Sequence, residues 1–250
     1  MSVSPILSLL AREFADLDLL DRDVPSTSEL ERRACEAEAA GLAVKGVTKS
    51  GGASASSGIG GMVLVTSTGF HGSYLRSSHG ISMTAISGEG TGMERDYDFT
   101  SAPHASDLAS PESVGRKAGE RTVARANPRK VETCKVPVVY DPGCRDRWSA
   151  ISSARINGAS IARKTSFLKD RMGEQLFAKN IRIIDDPLRV RGLRSQTFDA
   201  EGVRVKKLAI IDEGVLTSWL LDCATARELG LVTTGHAHRG VSSSPSPGIV

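Results

Sequence analysis

The 250-residue chain carries 32 basic and 29 acidic residues, a net charge of +3, with 40% hydrophobic and 4% aromatic residues. Such a length buries about three quarters of the unfolded surface, in one large domain or two smaller ones. The near balance of charge excludes a partner chosen by bulk electrostatics, whether nucleic acid or an anionic membrane. Few aromatics imply an aliphatic, alanine-rich core, and no run approaches the roughly 20 apolar residues of a membrane helix. Cys35, Cys134, Cys144 and Cys223 lie far apart with no C-x-x-C pair, so reduced thiols are the expectation. PILSLL is only six residues long and no small-residue cleavage site follows it, so the chain reads as soluble and cytoplasmic.

Ser4-Pro5 ahead of Ile6, Leu7, Leu9, Leu10 and Phe14 predicts a short capped helix, and the acidic FADLDLLDRDVP reads as a connector. Ser26 with Glu29 forms a capping box that opens a helix to about Ala40, closed by Gly41, with Ala34, Ala37 and Leu42 toward the core. From Leu42 to Ala102 short β-prone runs, GMVLVTST, HGISMTAIS and MERDYDFTS, predict an antiparallel meander. SGGASASSGIGG lacks a P-loop lysine and no helix pattern follows it, so it reads as a hairpin turn with a small-residue strand. Ser110-Pro111-Glu112 opens a helix to Ala126, on which Arg116, Lys117, Arg121 and Arg125 make a solvated face. Asn127-Pro128-Arg129-Lys130 marks a domain boundary.

Beyond it, KVPVVYDPG predicts a strand over Val136 to Tyr140 and a helix from about Arg145, whose Trp148, Ile151 and Ile156 would pack on that strand. IRIIDDP is a short strand, and VRVKKLAIIDEGVLTSWLL a hairpin turning at Asp212-Glu213-Gly214. ATARELGL is a short helix with Gly230 as its C-cap. In TTGHAHRG, His236 and His238 are of the right ligand type for zinc and, two apart in an extended segment, point the same way, but two solvated loop residues satisfy the pattern equally and are the favoured reading. SSSPSPGIV reads as a surface loop leading into the start of another strand. The fold class is α+β: an antiparallel meander with flanking helices over 26–127, after a connector over 1–25, then a second mixed α/β-hairpin domain over 131–250.

The order VPVVYDPG, RKTSFLKDRMGEQ, DDP, RGLRSQTFDAEGV, IIDEGVLTSWLLD and ARELGLVTTGHA resembles the TldD/PmbA family, the modulators of DNA gyrase or U62 peptidases. GVTKSGGASAS and SPESVGRKAGERTVAR are similar to that family's central domain, and the resemblance runs from Ser26 to Gly240. It implies a cytosolic zinc metallopeptidase of two related subunits acting on short or unfolded peptides. In the TldD-type subunit a helix after the turn carries H-E-x-x-x-H, two zinc ligands and a general base. An ungapped alignment puts Ala150, Ile151 and Arg155 at those places, and no histidine lies between His104 and His236. A methyl and an aliphatic chain offer no lone pair, and a guanidinium repels a dication.

The resemblance therefore implies a PmbA/TldE-type subunit with no catalytic residue and no metal of its own, in a heterodimer or larger assembly with a TldD-like subunit that carries the zinc. The family's first domain, expected ahead of Ser26, is mostly missing and its C-terminal end is absent, so the chain reads as a fragment. Peptide would be held by edge-strand pairing. Arg163, Lys164, Arg191 and Gly192, with His236 and His238, are the expected substrate- or partner-facing residues. Two alternatives stand beside this: a self-sufficient metallopeptidase using His236 and His238 with Asp222 or Glu228, and a gyrase-associated regulator, for which no basic stripe or recognition helix speaks.

Overall fold

A computed structural model of the chain describes residues 7–141 and 154–249. The expected positions Ala150 and Ile151, with Trp148 and the first part of the helix expected from about Arg145, lie outside the described residues. The chain divides into two compact units, one of Asp18–Gly61 with Leu75–Val136, the other of Met1–Leu17, Met62–Tyr74 and Pro137–Val250. In this division the chain passes from one unit to the other between Val136 and Pro137, and 62–74 counts with the second unit because Leu64, Phe70 and Tyr74 pack there.

In the first unit α1 (Thr27–Leu42) starts at Ser26, whose Oγ accepts the Glu29 N–H at 3.2 Å, as the capping box predicts. The Glu29 carboxylate turns instead to Arg32 and Arg33, which hold it at a pKa of about 2. α2 (Pro111–Ala124) is capped by Ser110 with proline in its first turn. The two helices approach through small residues: a Cβ on Gly115 would stand 1.9 Å from the Ala37 carbonyl oxygen. Gly41 therefore does not close α1 but lies buried inside it, against Met83.

The meander is a three-stranded sheet in the order β1 (Val47–Val65), β2 (His71–Ser87), β3 (Glu94–Ala102). β2 and β3 are antiparallel, with Met83 opposite Asp98. Along β2, Ser77, His79, Ile81, Met83, Ala85 and Ser87 are buried with the period of two that a one-sided sheet requires. Ile81, Met83 and Ala85 join Ala37, Val114 and Ala118 in this unit's core. The turn expected in SGGASASSGIGG is absent, because that segment continues as the 19-residue β1. Its small residues allow close approach: a Cβ on Gly51 would meet Thr84 of β2 at 2.8 Å. The basic face of α2 is partly neutralised, Arg121 by Asp98 at 3.0 Å and Arg125 by Asp96 at 3.3 Å.

In the second unit the start of the expected N-terminal helix, Ser4 to Ile6, lies outside the described residues, and from Leu7 to Phe14 no α-helix forms. Leu7–Leu9 make one 3₁₀ turn and Leu10 then bridges Val203 as an extended residue. The strand expected over Val136 to Tyr140 is also absent, and these residues are exposed without regular structure. A β-prone run becomes a strand only where a neighbour takes its backbone hydrogen bonds. Ile156 is buried as expected, but against Ile210, Ile211, Leu216 and Leu220. α3 (Gly158–Ala162) follows Asn157, whose Oδ1 accepts the Ala159 N–H. The small sheet β4 (Ile183–Asp185), β5 (Leu208–Asp212), β6 (Val215–Leu216) turns at Glu213 and Gly214, both at positive φ, as the Asp-Glu-Gly signal predicts. α4 (Cys223–Glu228) runs from an Asp222 cap, with Gly230 at φ 68° after it, and β7 (Ala237–His238) pairs antiparallel with β8 (Ser246–Pro247). Among the described residues no helix is long and apolar enough to cross a membrane.

Candidate functional site

Three buried acids of the second unit, Asp199, Glu201 and Asp222, gather at and beside the turn Gln196 to Val203. Asp199 is fully buried. Its Oδ1 accepts the N–H groups of Glu201 and Val203 at 2.9 Å each, closing the turn, and its Oδ2 accepts the Ala237 N–H at 3.1 Å. The turn also needs Gly202, at φ 78°, where a Cβ would strike the Phe70 ring at 2.6 Å. Beside Asp199, Phe198 lies edge-on to Phe14, Phe70 and Tyr74 at centroid distances of 5.1 to 5.5 Å. Burial pushes the Asp199 carboxyl up to about 7, against the three donors that favour its charged form.

Neighbouring acids are committed in the same way. Glu201, pushed up by burial, accepts the Cys223 N–H at 2.8 Å. Asp222 caps α4 by accepting the Thr225 N–H and hydroxyl at 2.8 and 2.6 Å. The Cys223 thiol is driven up by burial, then by Glu201 beside it, so it is no ready nucleophile.

The histidine pair is only partly the solvated pair expected. His236 is 1% exposed, with Nε2 2.9 Å from Asp185 Oδ2. Nδ1 faces both the Thr234 carbonyl oxygen at 2.9 Å and the Thr234 hydroxyl at 3.0 Å. Both ring nitrogens are thereby used, and neither offers a lone pair to a metal. His238 is half-buried, its pKa pushed down chiefly by burial, and its Nε2 is hidden without a partner. Among the described residues no three His, Cys, Asp or Glu side chains converge to hold a metal ion. His236 is engaged with Asp185 and Asp222 with the start of α4, and Glu228 is exposed, so these side chains do not converge with His238 among the described residues.

The other expected residues lie on separate loops. Arg163 is the exposed C-cap of α3, followed by exposed Lys164 at φ 60°. Arg191, at φ 52° and exposed, donates its N–H to the Leu17 carbonyl at 2.8 Å. Half-buried Gly192 is required because a Cβ would stand 2.2 Å from Ser195 Oγ. Arg155 is exposed, with its guanidinium 5.8 Å from the centre of the Phe167 ring. Sequence reasoning missed Asp185, Asp199 and Glu201; the DAEG turn was their local signal, whereas the partner of His236 lies 51 residues away.

Residues 21–126 match the PmbA/TldA metallopeptidase central domain and residues 133–250 the PmbA/TldA metallopeptidase C-terminal domain. The Metalloprotease PmbA of Escherichia coli O157:H7 is 39% identical over 230 residues, 92% of this chain and 51% of that protein. A Metalloprotease PmbA homolog of Haemophilus influenzae is 36% identical over 233 residues, again 92% and 51%. The chain thus spans about half the length of the curated relatives it matches. Among solved structures, one from Bacteroides thetaiotaomicron described as a modulator of DNA gyrase has a TM-score of 0.87 at 24% identity, over 93% of this chain and 54% of that one. TldE from Thermococcus kodakarensis has a TM-score of 0.78 at 17% identity, over 100% and 56%. At these identities the structures establish the shared fold.

Proposed function

Since the chain belongs to the PmbA/TldD metallopeptidase family, we propose that it is the non-catalytic, PmbA/TldE-type part of a two-subunit zinc peptidase acting on short or unfolded peptides. The observation that carries this reading is the residue set Ala150, Ile151 and Arg155, aligned with the histidine, glutamate and histidine of a zinc-binding helix. None of the three can ligate zinc or accept a proton from water. The committed ring nitrogens of His236 supply no substitute. Zinc then resides in a TldD-like partner with H-E-x-x-x-H, and this chain contributes fold, interface and peptide-holding surface. Arg163, Lys164 and Arg191, all exposed, remain its substrate- or partner-facing groups.

The test is zinc content and cleavage of an unfolded peptide, measured for the full-length protein alone, for its H-E-x-x-x-H relative alone, and for the two co-expressed. Zinc and activity are expected only where the relative is present. Stoichiometric zinc with cleavage by this protein alone would overturn the reading, and so would failure of the pair to co-purify at micromolar concentration.

A further inference from the structure

The second unit contains an open cavity of about 690 Å³, within the size range of small-molecule sites. One wall is the N-terminal segment, held in place where Ala11 N–H donates to Gly202 O and Arg204 N–H to Leu9 O, both at 2.9 Å. Leu10, Phe14 and Leu188 give the cavity apolar walls, and Arg12 and Arg204 bring two positive charges to it. Both guanidiniums are on exposed residues and neither forms an ion pair or side-chain hydrogen bond among the described residues, unlike Arg121, Arg125 and Arg182. Thr197 also lines the cavity, though its hydroxyl is itself buried away from solvent and has no hydrogen-bond partner among the described residues.

Two guanidiniums without an ion pair among the described residues, set between aliphatic and aromatic walls, form a matched set. The geometry points to a binding site for a monoanionic carboxylate that carries an apolar group. Guanidinium is the side chain whose fork fits a carboxylate, and the walls select the apolar part. Glu13, on the same lining, disfavours anions of higher charge such as phosphate through like-charge repulsion. The carboxylate has two sources, the free C-terminus of a short aliphatic peptide or a free aliphatic acid. The lining residues all belong to this chain and are tested without a catalytic subunit, so failure of the site would leave that reading untouched.

Titration calorimetry at low salt tests it with four probes: N-acetyl-Leu-Leu, the C-terminal amide of that peptide, hexanoate and inorganic phosphate. The free acid is expected to bind at least tenfold more tightly than the amide, and phosphate should not compete. Arg12→Gln and Arg204→Gln are each expected to weaken the acid about tenfold while barely changing the amide, and Arg204→Lys should keep part of the affinity. Since both arginines are exposed, circular dichroism of the variants should be unchanged. Peptide tighter than hexanoate identifies a C-terminus site, and equal affinities identify a general aliphatic carboxylate site; both support the assignment. Equal binding of acid and amide, no effect of the double Arg→Gln variant, or no binding of any probe at millimolar concentration would each overturn it.

Discussion

Replacing Asp199 by alanine removes the acceptor for three buried N–H groups at once, those of Glu201, Val203 and Ala237. At about 1–3 kcal/mol for each orphaned donor, the loss is about 3–9 kcal/mol, a large part of the 5–15 kcal/mol typical of a folded chain. An opposing contribution depends on pH. The folded-state pKa of about 7 lies above the ordinary value of 3.8, so between those values the folded state binds the extra proton. The stability contributed by this group is then full at low pH and is lost as pH rises from about 4 to about 7, on the order of 4 kcal/mol in all. Asp199→Ala relieves that penalty, so the variant should lose several kcal/mol at pH 5 and distinctly less at pH 8. Urea unfolding of the full-length protein and the variant at both pH values measures the difference. A loss below about 1 kcal/mol at pH 5 would show that the donors find other acceptors. A loss that grows toward pH 8 would show that the three donors, not burial, decide the charge of Asp199.

Phe198→Ala should destabilise by about 3–5 kcal/mol, because Phe14, Phe70 and Tyr74 pack on a ring with no exposure; calorimetric melting checks this, and an unchanged Tm would refute the packing. Gly115→Ala places a methyl against the Ala37 carbonyl and should cost about 1–3 kcal/mol or more by forcing α1 and α2 apart; denaturant titration would show a near-neutral effect if the helices can separate freely. Iodoacetamide should label Cys35 and Cys134 in the native protein but reach Cys223 only on unfolding, since that thiol is buried and its pKa raised. Peptide mapping by mass spectrometry separates the sites, and native labelling of Cys223 would contradict its burial.

Local chemistry made much of the fold legible. Ser26, Ser110 and Asp222 cap helices through one side-chain oxygen each, and Glu213-Gly214 turns a hairpin by positive φ, all within a few residues. What sequence patterns misjudged depends on distant partners. SGGASASSGIGG is strand rather than turn because β2 lies beside it, whereas Val136 to Tyr140 joins no sheet. Leu10 is extended because Val203 pairs with it, although its own neighbourhood reads as a helix. At the site, His236 and His238 were visible as residues, but their state was not. It is set by Asp185 from β4, by Thr234, and by burial that no nearby spacing encodes.

The most direct test of the proposed division between a zinc-bearing partner and this chain is the cleavage rate of an unfolded peptide by the reconstituted full-length pair. The partner's motif glutamate is changed to glutamine in one sample, and Arg155 of this chain to alanine in another. The glutamine substitution should abolish cleavage, because it removes the base that takes a proton from metal-bound water. Arg155→Ala should leave the rate within a few-fold, because this side chain is exposed beside Phe167 and aligns with a ligand position it cannot fill. Cleavage that survives the glutamine substitution, or that falls by orders of magnitude with Arg155→Ala, would contradict the account.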